Sequence, residues 1–401
     1  MQRTISTFLF FMVVSSQLLA QAPNSAPKSD KSLYSNNQIL TMEDMVFNNS
    51  ITPIKKVPLD TCSILIYDLD GKLISYNLNT EKINWKAQAT DSDRTMSGNK
   101  LTIKDGIVYV PFINGEIYAL NNQTGKAFWK TRLGNIKKGI IIKSQIPTIV
   151  DNQLFITTQN DNSNIYALDI NDGGLIWNYK LDYPYNHIPI LFFNNMVFTQ
   201  SAPYFYSFDA KTGKALYKRV FNKAMYGKPI TDNKNVFISD ESRTLYAMNP
   251  NNLDILWQYE LPENQYNIKE RIFCHNNNIY FGTKGSGKTA VYSLKSENGI
   301  LNWKTEFNNE KIEYITENNG FLWGYTEKGV IFKLDLITGK KMEEFQLTNI
   351  PVSNIEFKNE TFLLYYCEAG LIEFDVPNKK EKYLYMRSSI DSGDAFIKLI
   401  R

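Results

Sequence analysis

The stretch Gly115-Glu116-Ile117-Tyr118-Ala119-Leu120-Asn121-Asn122-Gln123-Thr124-Gly125-Lys126-Ala127-Phe128-Trp129 decides the fold, because it recurs along the chain. Apolar residues occupy both of its phases, Ile117 and Ala119 against Tyr118 and Leu120, as in a strand buried on both faces. Asn121 to Lys126 reads as a turn in which Gly125 is free to take a positive φ. A second strand follows and carries Trp129.

Further copies run from Ile165-Tyr166-Ala167-Leu168-Asp169 to Trp177, and from Phe205-Tyr206-Ser207-Phe208-Asp209 through Gly213 to Tyr217. Others run from Leu245-Tyr246 to Trp257, Val291-Tyr292 to Trp303 and Ile331-Phe332 to Glu343. Weaker copies at the two ends run from Ile74-Ser75-Tyr76 to Trp85 and from Leu371-Ile372 to Tyr383. The anchoring column reads Tyr76, Tyr118, Tyr166, Tyr206, Tyr246, Tyr292, Phe332 and Ile372, spaced 40–48 residues apart. Trp85, Trp129, Trp177, Trp257 and Trp303, five of the six tryptophans, share another column, with Tyr217 in the fourth copy. Scattered core aromatics would not fall into register.

Upstream of each copy lie two further apolar runs, such as Gly106-Ile107-Val108-Tyr109-Val110 and Pro147-Thr148-Ile149-Val150. Four strands in about 42 residues is the signature of a propeller blade. The expected fold is all-β, an eight-bladed β-propeller of four-stranded antiparallel blades over residues 61–401; a β-sandwich or solenoid is the competing architecture. A ring must close or leave two open edges. Ala395 to Ile400, 12 residues after Tyr383, is expected to complete the first blade; Ile51 to Val57 competes for that place. Each blade must bury both faces against its neighbours. Trp85, Trp129, Trp177, Tyr217, Trp257 and Trp303 are therefore expected to be structural wedges, each contributing roughly 2–3 kcal/mol of burial.

The formal charge of +3, from 44 basic and 41 acidic residues, supplies no strong field for nucleic acid or an anionic membrane. At the N-terminus Arg3, the apolar run Phe8 to Val14 with Leu18-Leu19, and Ala20-Gln21-Ala22 match a signal peptide over residues 1–22. The run is short of the ~20 residues of a membrane span, so no transmembrane segment is expected after its removal. Residues 23–60, rich in Asn, Ser, Lys and Pro, read as an N-terminal arm or linker. No cysteine follows the apolar run before Cys62. The expectation is an exported protein, periplasmic or outer-membrane-associated if bacterial, without a lipoprotein anchor. Cys62, Cys274 and Cys367 are expected to be buried free thiols, although a Cys62–Cys367 bridge would be possible if first and last blades touch.

Gly282-Thr283-Lys284-Gly285-Ser286-Gly287-Lys288-Thr289 matches the phosphate-cradling loop letter for letter. That chemistry needs a helix after the loop, and here the next strand of the repeat follows, so a hairpin connection is expected. His187 and His275, the only histidines, belong to no ligand-spaced cluster, so neither a zinc site nor a catalytic triad can be built. Asp169-Ile170-Asn171-Asp172-Gly173 lacks the closing Glu of a calcium loop and reads as a turn. No catalytic, metal or cofactor-binding residue is assigned.

Because blade strands alternate in direction, second-to-third-strand loops and interblade linkers share one face. Lys137, Lys138, Tyr183, Tyr185, Tyr204, Phe205, Tyr226 and Lys284 gather there as the candidate partner-binding face. Tyrosine combines apolar area with a polar tip and suits a protein or glycan contact; packing over blade edges is the equal alternative.

The pattern Leu-Asp-x-x-Thr-Gly-Lys-x-x-Trp resembles the repeat of pyrroloquinoline-quinone-type propellers, over about residues 60 to 401. That superfamily includes quinoprotein alcohol dehydrogenases and the non-enzymatic BamB-type scaffold of outer-membrane protein assembly. Bare blades and the export signal look most like the BamB-type group. The dehydrogenases carry an adjacent cysteine pair and long insertions, and this chain has neither. The resemblance therefore implies a non-enzymatic scaffold that binds protein partners in the cell envelope, with no cofactor. A carbohydrate-binding or carbohydrate-processing propeller, with a glycan ligand, is the alternative.

Overall fold

The computed structural model describes residues 46–47, 53–90, 98–134, 140–160, 163–184, 186, 188–241, 243–263, 265–266, 268, 272–285, 288–308, 310–387 and 394–401. These form eight four-stranded antiparallel sheets in a ring, an eight-bladed β-propeller. Blade 2 is typical: Thr102–Lys104, Ile107–Pro111, Glu116–Asn121 and Ala127–Arg132 pair in chain order. First strands of neighbouring blades touch, as Thr102–Lys104 does Thr148–Val150, so they face the axis while fourth strands form the rim. Residues 1–22, the expected signal peptide, lie outside the described residues.

The ring closes as expected. Phe396–Leu399 pairs with Ser63–Tyr67, Ile64 opposite Leu399 and Ile66 opposite Ile397, and so supplies the first strand of blade 1. The competing segment goes elsewhere: the Val57 N–H donates to the Asp105 carbonyl of blade 2. Val46–Phe47 adds a fifth strand to that blade's rim, Val46 opposite Arg132 and Phe47 opposite Thr131. The sequence offered no periodicity there, because a two-residue strand has none. All three cysteines are free thiols, but only Cys367 is buried as expected; Cys62 and Cys274 are half-buried.

The seams between blades follow one rule. Each of the five repeat tryptophans sends its indole N–H into the next blade, to a carbonyl of the turn between third and fourth strands. The acceptors are Asn122, Ile170, Ala210, Ser296 and Leu336, for Trp85, Trp129, Trp177, Trp257 and Trp303, at 2.8–3.3 Å. Three residues after each acceptor stands a glycine at positive φ: Gly125, Gly173, Gly213, Gly299 and Gly339. A Cβ there would come within 2.4–2.7 Å of the indole. Where no tryptophan faces the turn, the same positive-φ position holds Leu253, Lys379 or Glu81. Backbone geometry alone thus tolerates a side chain at this position; contact with the indole is what requires glycine.

Other pairings take over at those three seams. Arg219 donates to the Leu253 carbonyl at 3.0 Å beside Tyr217, and Lys379 lies over the Phe345 ring. Between blades 8 and 1, Arg387 pairs with Asp70 at 3.0 Å and Lys382 with Glu81 at 2.7 Å.

The anchoring column needs one correction. Ser75 lies opposite Trp85 as Ala119 lies opposite Trp129, so Ile74, not Tyr76, is the first-blade member. Tyr76 sits two residues further along and donates to the Leu384 carbonyl of blade 8 at 2.5 Å. Matching on tyrosine alone slipped the alignment by one pleat, which the 11-residue distance to the wedge would have fixed.

Trp85→Ala is expected to cost about 3–5 kcal/mol, as for a buried aromatic. Gly125→Ala, whose Cβ would meet only the Trp85 ring, should cost about 1–3 kcal/mol from overpacking. In urea melts the double variant should be markedly less destabilised than the sum; strict additivity would refute contact between Cβ and indole as the reason for the glycine. Removing Phe396 to Arg401 should abolish the cooperative melt and give aggregates on size exclusion, because it exposes the edge of Ser63–Tyr67. A monomeric, cooperatively folded truncation would show that closure is dispensable.

Candidate functional site

The face opposite the indole turns is built from interblade linkers and second-to-third-strand loops. Column tyrosines reach up to it with their hydroxyls. Tyr118 donates to Glu116 at 2.7 Å, Tyr292 to Gln265 at 2.7 Å, Tyr246 to Asp240 at 3.2 Å, and Tyr206 to Asp182 at 2.5 Å. Burial first, and then the Asp182 carboxylate, push the Tyr206 hydroxyl far above its ordinary value. The Tyr246 hydroxyl is pushed up to about 12 by burial and then by Asp240. These phenols therefore stay protonated and act as fixed donors that seat the loops.

Buried amides do the same for the linkers. Asn99 donates to the Ile142 carbonyl at 2.9 Å and accepts from the Gln145 N–H at 2.9 Å. Gln159 donates to the Asn186 carbonyl at 2.7 Å, and Asn186 in turn to Thr199 at 3.1 Å. These bonds hold the described linkers to the blades beneath them.

Three of the expected contact residues come together on it, around the connection from Met196–Ser201 to Tyr204–Asp209 in blade 4. Tyr183, 42% exposed, is held by its backbone: its N–H donates to the Ser201 hydroxyl, which donates back to the Tyr183 carbonyl at 2.7 Å. Tyr204 is half-buried, with the Lys218 ammonium 4.0 Å from its ring centroid. Lys218 also pairs with Asp182 at 2.9 Å. Tyr226, half-buried, shares a cavity with Ala202 of the same connection. Its N–H donates to the Ser239 carbonyl at 3.0 Å.

The other expected members divide. Phe205 is 0% exposed and packs in the core with Phe198 and Met248, so it leaves the contact face. Its neighbour Tyr204 points the opposite way because successive strand residues alternate. Lys284 lies on blade 6 and pairs with Glu313 at 2.6 Å. Lys137, Lys138 and Tyr185 lie outside the described residues, as does His187.

The phosphate-loop lookalike is a connection between strands. Asn278–Gly282 leads to Lys284–Gly285, which pairs with Gln265–Tyr266, and then to the strand Lys288–Lys295. No helix follows to turn its amides on a phosphate. The Asp169–Gly173 segment is a turn, closed by the Gly173 N–H on the Asp169 carbonyl at 2.8 Å. Among the described residues, no three His, Cys, Asp or Glu side chains gather as a metal site.

Sequence reasoning missed Asp182, Lys218 and Gln200. The first two are ordinary surface charges in sequence; the pleat brings Lys218 over Tyr204. Gln200, 1% exposed, lies in a strand whose every residue is buried, and only the blade packing shows that its amide meets no protein group.

Comparisons with known proteins agree with this architecture. The sequence profile described as outer membrane protein assembly factor BamB matches residues 69–190 and 161–306. Outer membrane protein assembly factor BamB of Escherichia coli is 22% identical over 171 residues, 42% of this chain and 41% of that protein. Tetrathionate hydrolase of Acidithiobacillus ferrooxidans is 22% identical over 221 residues, 54% of this chain and 39% of that enzyme. These matched stretches span about two fifths of the curated relatives' own lengths. The crystal structure of BamB from Moraxella catarrhalis superposes with a TM-score of 0.61 at 16% identity, covering 82% of this chain and 97% of that one. On a profile that runs from residue 69 to residue 306, the chain belongs to the family of outer membrane protein assembly factor BamB.

Proposed function

We propose that this chain is an exported, non-enzymatic scaffold that binds a protein partner of the cell envelope through its linker-and-loop face, in an outer-membrane assembly complex. One observation carries the reading: Tyr183, Tyr204 and Tyr226 surround a single connection on a face whose loops are pinned from below. Rings on a rigid support lose little side-chain freedom on binding, which favours affinity. Family membership supports a role in outer-membrane assembly. The likeness to tetrathionate hydrolase leaves turnover as a reading to be tested.

The combined Tyr183→Ala and Tyr204→Ala variant should melt near the parent temperature. Its crosslinking in intact cells, read by mass spectrometry, should recover the parent's main partner at least about tenfold less, as loss of two interface anchors would give. Undiminished recovery would reject this face as the contact. Turnover of tetrathionate or a sugar by the purified protein would reject the non-enzymatic reading.

Export makes a separate prediction. The N-terminus of the protein recovered from the periplasmic fraction should be Pro23, following cleavage after Ala22. An N-terminus at Met1 on the cell-associated protein would overturn it.

A further inference from the structure

The turns between third and fourth strands lie on the face opposite the linkers, and at their tips the repeat is polar. Two residues before the positive-φ position stand Asn79, Gln123, Asn171, Lys211, Asn251 and Glu297 in blades 1 to 6, and Pro377 in blade 8. Blade 7 departs from this with Ile337, which is 85% exposed. One residue after the positive-φ position the column holds Lys82, Lys126, Lys214, Lys340 and Lys380, with Gly174 and Asp254. Blade 6 departs there with Ile300, 56% exposed.

The two departures fall on adjacent turns at one seam. Ile300 leads into the strand Leu301–Asn308, whose Trp303 donates to the Leu336 carbonyl beside Ile337 at 3.3 Å. Thr305 of the same strand donates to the Gly339 carbonyl at 2.5 Å, so the blade 7 turn is seated on that strand. Leu301 and Met342, which begin the two fourth strands, are exposed as well. Single apolar residues on a surface need no explanation, whereas a group at one seam marks a contact site.

The charges around the patch decide what covers it. Lys304 pairs with Glu306 at 2.6 Å and Lys341 with Glu344 at 2.5 Å, and each pair is neutral. Lys295 and Asp335 stand at the roots of the two turns. Glu297 on one turn and Lys340 on the other are exposed. A border balanced in this way offers no field to an anionic lipid surface or to a partner of one strong sign. It is complementary to itself. A two-fold axis can set Glu297 of one copy against Lys340 of the other while the isoleucines meet between them.

We infer that this patch is a self-association surface, on which a second copy of the chain docks through the turns of blades 6 and 7 about a two-fold axis. The dimer is back to back, so both linker-and-loop faces stay open, and the inference does not rest on what those faces bind. Four side chains fall short of the ~800 Å² per partner of a standard interface, so the association is weak and concentration-dependent.

The test is sedimentation equilibrium of the full mature chain over about a hundredfold range of concentration, spanning the micromolar region. The mean mass should climb from that of the monomer toward twice that value. Ile337→Asn, which places at this tip the residue type of blades 1, 3 and 5, should stay monomeric at the parent melting temperature. Glu297→Lys and Lys340→Glu should each weaken the dimer at least about tenfold by setting like charges together. Mixed in equal amounts they should recover the parent affinity, because every lysine then meets a glutamate across the axis. A parent that remains monomeric throughout, or an Ile337→Asn variant that still dimerises, would overturn the inference. Failure of the mixture to recover would overturn the two-fold pairing. Pelleting of the monomer with phosphatidylglycerol vesicles, lost in Ile337→Asn, would assign the patch to a lipid surface instead.

Discussion

The contact on which the ring depends is an indole of one blade laid on a glycine of the next. It joins two effects at one point. The ring fills the gap that widens toward the rim, where sheets splayed about a common axis would leave a void. Its N–H meets a turn carbonyl that would otherwise be covered without a partner. Glycine is needed at that spot because a Cβ would lie 2.4–2.7 Å from the ring, closer than packing permits. The contact repeats at five of the eight seams.

The rule also explains what was readable from sequence. Tryptophan and glycine recur because both sides of the same contact are constrained, so the repeat, its eight copies and the closing strand could be read directly. Leu253, Lys379 and Glu81 carry the complementary message: each holds the same positive φ, and none faces a tryptophan. What misled the reading was local resemblance without partner information. Tyr76 looks like a column tyrosine but lies one pleat from it, and Phe205 looks like a loop aromatic but faces the core. Val46–Phe47 was illegible because two residues are too few to show a period, and its place is given by pairing with the rim of blade 2.

The opposite face obeys a different constraint. Linkers there run over a mostly apolar core, so their backbone groups need partners from below. Asn99 and Gln159 donate to linker carbonyls, Asn186 accepts from the Ile188 N–H and Tyr206 from the Asp182 N–H, while Tyr118, Tyr246 and Tyr292 hold side chains of the same face. The loops can then vary in sequence while their bases stay fixed, which is how one ring serves different tasks. The group of tyrosines around the Ser201–Tyr204 connection is one such variation, and it depends on the Tyr206–Asp182 and Ser201–Tyr183 bonds beneath it.

The seam between blades 4 and 5 departs from the pattern on both faces. At its turn side Tyr217 replaces the indole, Leu253 replaces the glycine, and Arg219 bonds the turn carbonyl and pairs with Asp254 at 3.7 Å. At its loop side the packing leaves a cavity lined by Ile188, Ala202, Met225 and Tyr226, and buries the Gln200 amide without a protein partner. A seam tightened by an indole has little room to adjust, whereas a longer, jointed arginine contact leaves the two blades freer to differ in spacing from their neighbours.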